Sequence, residues 1–193
     1  MEKWITFYEN SPSNLENVTD FIEKLERIND PTIILHRAKI MMHQTQRIIT
    51  LADDIIQIRE GKDSLQLFFV LTCAENIAKL YHHFDQEGKS KEYVRRFFSE
   101  FIVDNDRTVL ENSFFRLDGT QFNIKSVVDC LYSVRCDVVH EGRYWGFHFH
   151  DGQTLMINMS PDVTVHITFS EFRAIVIRGC VYAIQNYVEA NSS

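Results

Sequence analysis

Residues that interrupt helices are scarce in this chain. Its 193 residues include 7 glycines and 3 prolines, together about 5% against an average of about 12%. This scarcity favours long helices and excludes a β-sandwich with many turns. The length and an apolar fraction of 45% fit one globular domain.

Long apolar runs are also missing. The longest unbroken run of large apolar residues is Leu67–Leu71, whereas a membrane-spanning helix needs about 20 residues. The start of the chain lacks a basic stretch followed by an apolar one, so we expect no signal peptide. The 4 cysteines form no Cys-x-x-Cys pair, which predicts reduced thiols in a cytoplasmic protein.

Basic residues are outnumbered by acidic ones, and the formal net charge is −7. A protein that coats nucleic acid without sequence preference needs a broad basic surface, which this composition excludes. A nuclease with a local basic site stays compatible with it.

Local signals predict where the first and last helices begin. Ser13-Asn14-Leu15-Glu16 has the pattern of a capping box. Asp63-Ser64 and Ser170 are predicted to cap two later helices. Residues 1–12 and 191–193 are predicted to be loose ends.

The spacing of apolar residues predicts a mainly helical fold. The predicted helices cover, approximately, residues 15–28, 32–60, 65–84, 91–103, 107–116, 124–138 and 171–189. Between Phe68 and Ala78 the chain is apolar almost all round, which is typical of a helix at the centre of the core. Asp118-Gly119 predicts a turn.

The pattern changes after residue 146. Phe147-His148-Phe149-His150 alternates, Asp151-Gly152 is a turn signal, and residues 155–158 follow as a second strand, which together predict a β-hairpin. Residues 163–168 predict a third strand. We therefore expect one mainly-α domain over residues 1–193, a helical bundle with its core at about 14–190 and a small β insertion at about 146–168.

One segment combines residues that carry chemistry. Arg135 precedes His140 by five positions near the end of an apolar helix, and Gly142 is a natural helix C-terminus. On an unbroken helix, five positions correspond to about 140° of rotation and roughly 7.5 Å of rise. Either the helix ends before His140, or the two side chains act with groups from elsewhere.

This segment resembles the motif of the HEPN superfamily, whose members are bundles of four or five helices with an Arg-x4–6-His motif. Leu-Tyr-Ser-Val precedes Arg135, and Val-Val-His-Glu-Gly closes the segment. Cys73–Lys79 and Arg95–Phe101 are similar to a branch of stand-alone prokaryotic and phage-defence proteins. The resemblance covers about residues 14–190 without the predicted hairpin, and Arg135, His140 and Gly142 carry the motif.

The resemblance implies a metal-independent endoribonuclease, acting as a toxin or phage-defence effector without a cofactor. Arg135 would neutralise the phosphate, and His140 would act as general acid or base. Because one histidine cannot easily serve both oxygens, the resemblance implies a two-fold homodimer whose two motifs share a cleft. The implied partners are RNA, a second copy of the chain, and an antitoxin or regulatory protein.

The residue after the motif arginine departs from the family pattern. That position usually holds Asn, Asp or His, whereas here it is Cys136, followed by Asp137. Either Cys136 packs, or Asp137 supplies the polar group after a small register change. The departure leaves a second function open, a non-catalytic HEPN module that binds RNA, a nucleotide or a protein.

Three further residues are candidates for supporting roles. Glu75 is an acid within an apolar helix, and in a HEPN-like fold we expect it to pair with Arg135 and orient it. Arg143 and Tyr144 are candidates for contacts with a phosphate or a base, although a surface arginine and a core tyrosine are the commoner explanations.

Other clusters predict alternatives. His148, His150 and His166 would form a zinc site if the strands brought them together, which would make the chain a metal-binding helical protein. His82-His83 ends a helix, where the dipole favours a cation. A basic cluster would guide RNA, although a solvated helix face is more common; it consists of Lys89, Lys91, Arg95 and Arg96.

Overall fold

The computed structural model describes residues 1–11, 13–31, 33–60, 62–84, 86–153, 156–159 and 161–192. These residues form eight helices and three short strands. The helices are α1 (Glu2–Glu9), α2 (Val18–Glu26), α3 (His36–Ile58), α4 (Asp63–His82), α5 (Ser90–Glu100), α6 (Asp104–Glu111), α7 (Ile124–Glu141) and α8 (Phe169–Asn191). The strands are β1 (Phe114–Arg116), β2 (Met156–Met159) and β3 (Asp162–Val165). The predicted mainly-α class with a small sheet is confirmed.

Helix α4 lies at the centre of the bundle, as its apolar sequence predicts. It packs against α3, α5, α7 and α8, and it buries residues on every side. Because α4 is enclosed, a polar residue on it faces other helices and needs a partner there. In the described part of the chain, no helix is long and apolar enough to cross a bilayer.

The predicted loose end at residues 1–12 is wrong for the part that the structure describes, which excludes residue 12. Residues 2–9 form α1, and its Tyr8 is fully buried. The Tyr8 hydroxyl donates to the Met42 carbonyl at 2.9 Å, and the Trp4 ring stacks on His43 with 4.4 Å between centroids. These two aromatic contacts dock α1 on α3.

The predicted helix starts are displaced by a few residues. Asn17, rather than Ser13, caps α2 through its side chain. Thr168, rather than Ser170, caps α8 in a capping box with Glu171. Residues 63 and 64 lie inside the first turn of α4, where their side chains bind a distant segment instead of capping. The helix break expected at residue 61 lies outside the described residues.

The sheet differs from the predicted hairpin. β2 and β3 form an antiparallel hairpin, and β1 pairs with the other edge of β3, Phe114 opposite Val165. Residues 147–150 form no strand, and residue 155 lies outside the described residues. The predicted helix over 107–116 is present only in its first half, since α6 ends at Glu111 and residues 114–116 form β1. The Asp118-Gly119 turn is confirmed, with Gly119 at φ +85°.

The segment after α7, residues 147–149, is held against α4 and β2 through hydrogen bonds of its backbone. The buried Asn158 side chain accepts from the His148 amide at 2.7 Å and donates to the His148 carbonyl at 3.0 Å. On the neighbouring residues, Asp63 accepts from the Phe149 amide at 2.7 Å, and the Ser64 hydroxyl donates to the Phe147 carbonyl at 3.3 Å. The path of the chain leaving α7 is therefore set by α4 and β2.

We expect Asn158→Ala to lower the free energy of unfolding by about 2 kcal/mol, because it leaves a buried amide and carbonyl without partners. Urea unfolding followed by circular dichroism measures this effect. Asn112→Ala is the matched control, since Asn112 is exposed and its side chain contacts only Gln121 among the described hydrogen bonds. An equal loss in both variants would contradict the bridging role of Asn158.

Candidate active site

Helix α7 carries the motif without interruption. It runs through His140 to Glu141, and Gly142 closes it in the left-handed conformation at φ +63°. The predicted helix end at Gly142 is confirmed, whereas an end near residue 138 is wrong. Since the helix does not end before His140, the Arg135 and His140 side chains leave it in directions about 140° apart.

Arg135 is held by two side chains. Its Nη2 lies 3.6 Å from Glu75 Oε2, and its guanidinium carbon lies 5.4 Å from the centre of the Tyr132 ring. The Arg135 side chain is 17% exposed and that of Glu75 is 8% exposed. The predicted pairing of Glu75 with Arg135 is present, and it joins α4 to α7 beside the motif.

Glu75 has two further partners in this cluster. The Ser90 hydroxyl donates to Glu75 Oε1 at 2.8 Å, and the Lys79 ammonium contacts the same oxygen. One carboxylate thus faces two cations, so the cluster keeps a net positive charge that can attract an anion. Burial raises the pKa of the neighbouring Tyr132 hydroxyl.

His140 differs from Arg135 in its exposure and in its contacts. It is exposed, and within the described part of the chain it has no hydrogen bond, ion pair or ring contact. An exposed imidazole without a partner can approach a second molecule.

The residues after Arg135 resolve the alternatives left open by the sequence. Asp137 Oδ1 lies 3.2 Å from Arg143 Nη2, and the Asp137 carbonyl accepts from the Arg143 amide. Asp137 therefore closes the end of α7 and does not take the polar place beside Arg135. Cys136 is half-buried, which agrees with a packing role.

Tyr144 lies among cationic and aromatic side chains that the sequence analysis did not predict to be its neighbours. The Arg59 guanidinium carbon lies 6.0 Å and Lys62 Nζ 5.5 Å from the centre of its ring. Trp145 contacts the same ring edge to face at 5.2 Å. Arg59 and Lys62 lie more than eighty positions before Tyr144, so no local pattern in the sequence connects them.

The predicted basic cluster on α5 is paired with carboxylates. Glu92 pairs with Lys89 at 3.2 Å and Arg96 at 3.5 Å. Asp129 pairs with Lys91 at 3.2 Å and with Arg95 at 2.7 Å. These cations form a salt-bridged helix face, which agrees with the commoner of the two explanations.

The histidines form no metal site in the described part of the chain. No group of three His, Cys, Asp or Glu side chains lies close enough to hold an ion there. His150 Nδ1 accepts from the Gly152 amide, and His166 packs against Phe115, so the three predicted zinc ligands do not come together. At the end of α4, His82 pairs with Glu100 at 2.6 Å and His83 contacts the Tyr187 hydroxyl at 3.0 Å.

Comparisons with known proteins add no relative. No protein-family model matches the chain, and neither curated proteins nor solved structures give a match. The functional conclusion therefore depends on the residues of the site itself.

Proposed function

We propose that this protein is a metal-independent endoribonuclease of the HEPN type. The observation that carries the proposal is the contrast on α7: Arg135 is held in place by Glu75 and Tyr132, whereas His140 is exposed and unpartnered. A fixed cation can stabilise the charge on a phosphodiester in metal-independent RNA cleavage, and a free imidazole can transfer a proton there.

The reaction begins with attack of a ribose 2′-oxygen on the adjacent phosphorus. The bond between the 2′-oxygen and phosphorus forms, and the bond between phosphorus and the 5′-oxygen breaks. A base removes the proton from the 2′-hydroxyl, and an acid protonates the leaving 5′-oxygen. The products are a 2′,3′-cyclic phosphate and a 5′-hydroxyl.

Arg135 stabilises the charge that develops on the phosphoryl oxygens, because a guanidinium stays charged and presents paired donors. Glu75 fixes its direction from the central helix, and Lys79 adds a second positive charge beside it. His140 transfers the proton. Its exposure lets it reach an RNA chain or a second protein chain.

The geometry of α7 favours a site shared by two copies. Within one chain Arg135 and His140 point about 140° apart, so they do not converge on one phosphate. A two-fold axis beside the C-terminal end of α7 would bring His140 of one chain toward Arg135 of the other and supply two imidazoles, one as base and one as acid. This is the homodimer that the motif predicts.

A second function is favoured by one observation. The Arg135 side chain is 17% exposed and already paired with a carboxylate, so a phosphate must share the guanidinium with Glu75. If it cannot, the chain is a non-catalytic module that binds RNA, a nucleotide or a protein partner.

The biological setting follows from the proposed chemistry. An enzyme that cuts RNA in its own compartment needs control, which agrees with a toxin or phage-defence effector regulated by an antitoxin or another protein. RNA as substrate and the free cysteines agree with a cytoplasmic location.

The test is cleavage of a mixed RNA pool in excess EDTA by the wild type and by His140→Ala. We expect cyclic-phosphate ends from the wild type and a rate about 100-fold to 10,000-fold lower in the variant, since that is the usual contribution of general acid–base catalysis. Mass spectrometry of the products identifies the ends.

His166→Ala is the matched control, because His166 is also exposed but lies beside the sheet. It should cleave like the wild type. Equal cleavage by His140→Ala, or cleavage that stops in EDTA, would contradict the nuclease proposal. A folded dimer that binds RNA without cutting it would establish the non-catalytic module.

A further inference from the structure

We propose that Tyr144 and Trp145, flanked by Arg59 and Lys62, form a subsite that stacks an unpaired base of single-stranded RNA. This inference rests on the proposed function, since it assumes that the substrate is RNA. It assigns the base contact to a group of residues that α3, α4 and the end of α7 bring together.

The subsite lies next to the proposed chemistry along the chain. Tyr144 and Trp145 follow directly after Gly142 and Arg143, so they are four and five positions beyond His140. The backbone just beyond them is tied to α4, where the Ser64 hydroxyl donates to the Phe147 carbonyl. A base held here would belong to a nucleotide close to the cleaved linkage.

The two rings have different exposures. Tyr144 is half-buried, whereas Trp145 is 56% exposed. Their planes meet at 78°, so the tyrosine buttresses the indole instead of stacking on it. Trp145 borders a pocket of about 100 Å³ that Ser64, Val134, Asp137, Arg143 and Phe147 also line. A supported aromatic ring at the surface is the platform on which single-stranded nucleic acids stack.

The charges around the ring favour an anionic polymer. In the described part of the chain, neither Arg59 nor Lys62 lies within 4.0 Å of a carboxylate oxygen; both contact Tyr144. The α5 cations, in contrast, each have a carboxylate partner. Arg59 and Lys62 therefore keep their charge for phosphates on either side of the stacked base.

The geometry distinguishes single strands from duplexes. A base inside a duplex is stacked on its neighbours and does not offer its face to a protein ring, whereas the bases of loops and ends can be splayed onto an aromatic side chain. Every base has such a face, so this subsite selects unpaired RNA without reading its sequence.

The experiment uses a short single-stranded RNA whose riboses are all 2′-O-methylated, which the proposed reaction cannot cleave. Anisotropy of this RNA, labelled at one end, gives the dissociation constant, and tryptophan emission reports contact with the indole. We expect quenching of the indole emission in the wild type, none in Trp145→Phe, and a dissociation constant at least tenfold higher in Trp145→Ala. Trp145→Phe keeps an aromatic face and should retain most of the affinity.

The cations are tested by the salt dependence of the same binding. Arg59→Ala and Lys62→Ala should each reduce the slope of log affinity against log salt by about 0.7, the value for one phosphate contact in a single strand. Lys125→Ala is the matched control, because Lys125 is exposed and lies at the opposite end of α7. It should leave the slope unchanged.

Three results would overturn the subsite. These are equal binding of a duplex of the same RNA, RNA binding that Trp145→Ala leaves unchanged, and an indole of Trp145 that acrylamide cannot quench in the dimer, which would show that a second copy covers this face. Because the probe cannot be cut, binding with quenching but no cleavage of natural RNA would support the subsite and reject the nuclease. Cleavage of natural RNA by the wild type, together with unchanged binding in Trp145→Ala, would support the nuclease and reject the subsite.

Discussion

A mixture of the Arg135→Ala and His140→Ala variants is expected to cleave RNA, although each variant alone has lost activity by at least about 100-fold. The reason is the unbroken α7 helix, which separates the two side chains by about 140° within one chain. If the arginine and the histidine that act on one phosphate come from different copies, a mixed dimer contains one such pair but only one imidazole, so we expect part of the wild-type activity to return. Subunit exchange in an equal mixture makes about half of the dimers mixed.

The measurement is RNA cleavage in EDTA before and after the two variants are mixed. The control replaces the His140→Ala partner with a double variant that lacks both residues, and this mixture should stay inactive. Size-exclusion chromatography with light scattering reports the dimer directly. Failure to recover any activity in a mixture of folded dimers would contradict a site in which one Arg135 and one His140 from different chains suffice for cleavage.

The largest expected effect on stability is that of Asp106→Ala, a loss of about 3 kcal/mol in the free energy of unfolding. Asp106 joins α6 to α8 through a bidentate contact with Arg178, with 2.7 Å to Nε and 2.6 Å to Nη2. The two side chains are 12% and 20% exposed. Removing the acid therefore leaves a guanidinium that is largely shielded from water without its principal partner.

Asp104→Ala is the matched control on the same helix. Asp104 is 94% exposed and pairs with Arg107 at 3.3 Å, so its loss should cost about 1 kcal/mol or less. Urea unfolding compares the two variants. Replacing the whole pair, Asp106→Leu with Arg178→Met, should restore much of the stability. Equal losses in Asp104→Ala and Asp106→Ala would contradict the argument from burial.

Elements whose stability comes from their own sequence are the ones that sequence analysis predicts best. α4 is apolar on all sides, which defines a buried helix without reference to any partner. Gly142 is predicted to end α7 because a left-handed residue there favours glycine. Both predictions are confirmed.

Elements that depend on distant partners were missed. α1 docks through Tyr8 and Trp4, whose contacts lie more than thirty positions away on α3. β1 is only three residues long. Its pairing with β3 makes it a strand, although the local spacing of apolar residues predicts a helix there.

The candidate site also contains residues that their own sequence predicts and residues that depend on distant partners. Glu75 can be identified from the sequence because an acid on an apolar helix needs a partner, and Arg135 is that partner. The surroundings of Tyr144 come from the ends of α3 and α4, which the sequence does not place near it. Asp129 and Glu92 likewise pair with the cations of a basic cluster whose partners no local pattern in the sequence indicates.

The strand order β1-β3-β2 has a consequence for the order in which the molecule assembles. β1 precedes α7 in the chain and β3 follows it, so their pairing closes a loop that contains the whole motif helix. Contacts of such long sequence separation form late in folding, after local helix pairs such as α3 with α4. A ribosome must therefore release residues well beyond His140 before the segment bearing Trp145 can be tied down. We expect the nascent chain to acquire its helical core before it acquires a complete binding surface.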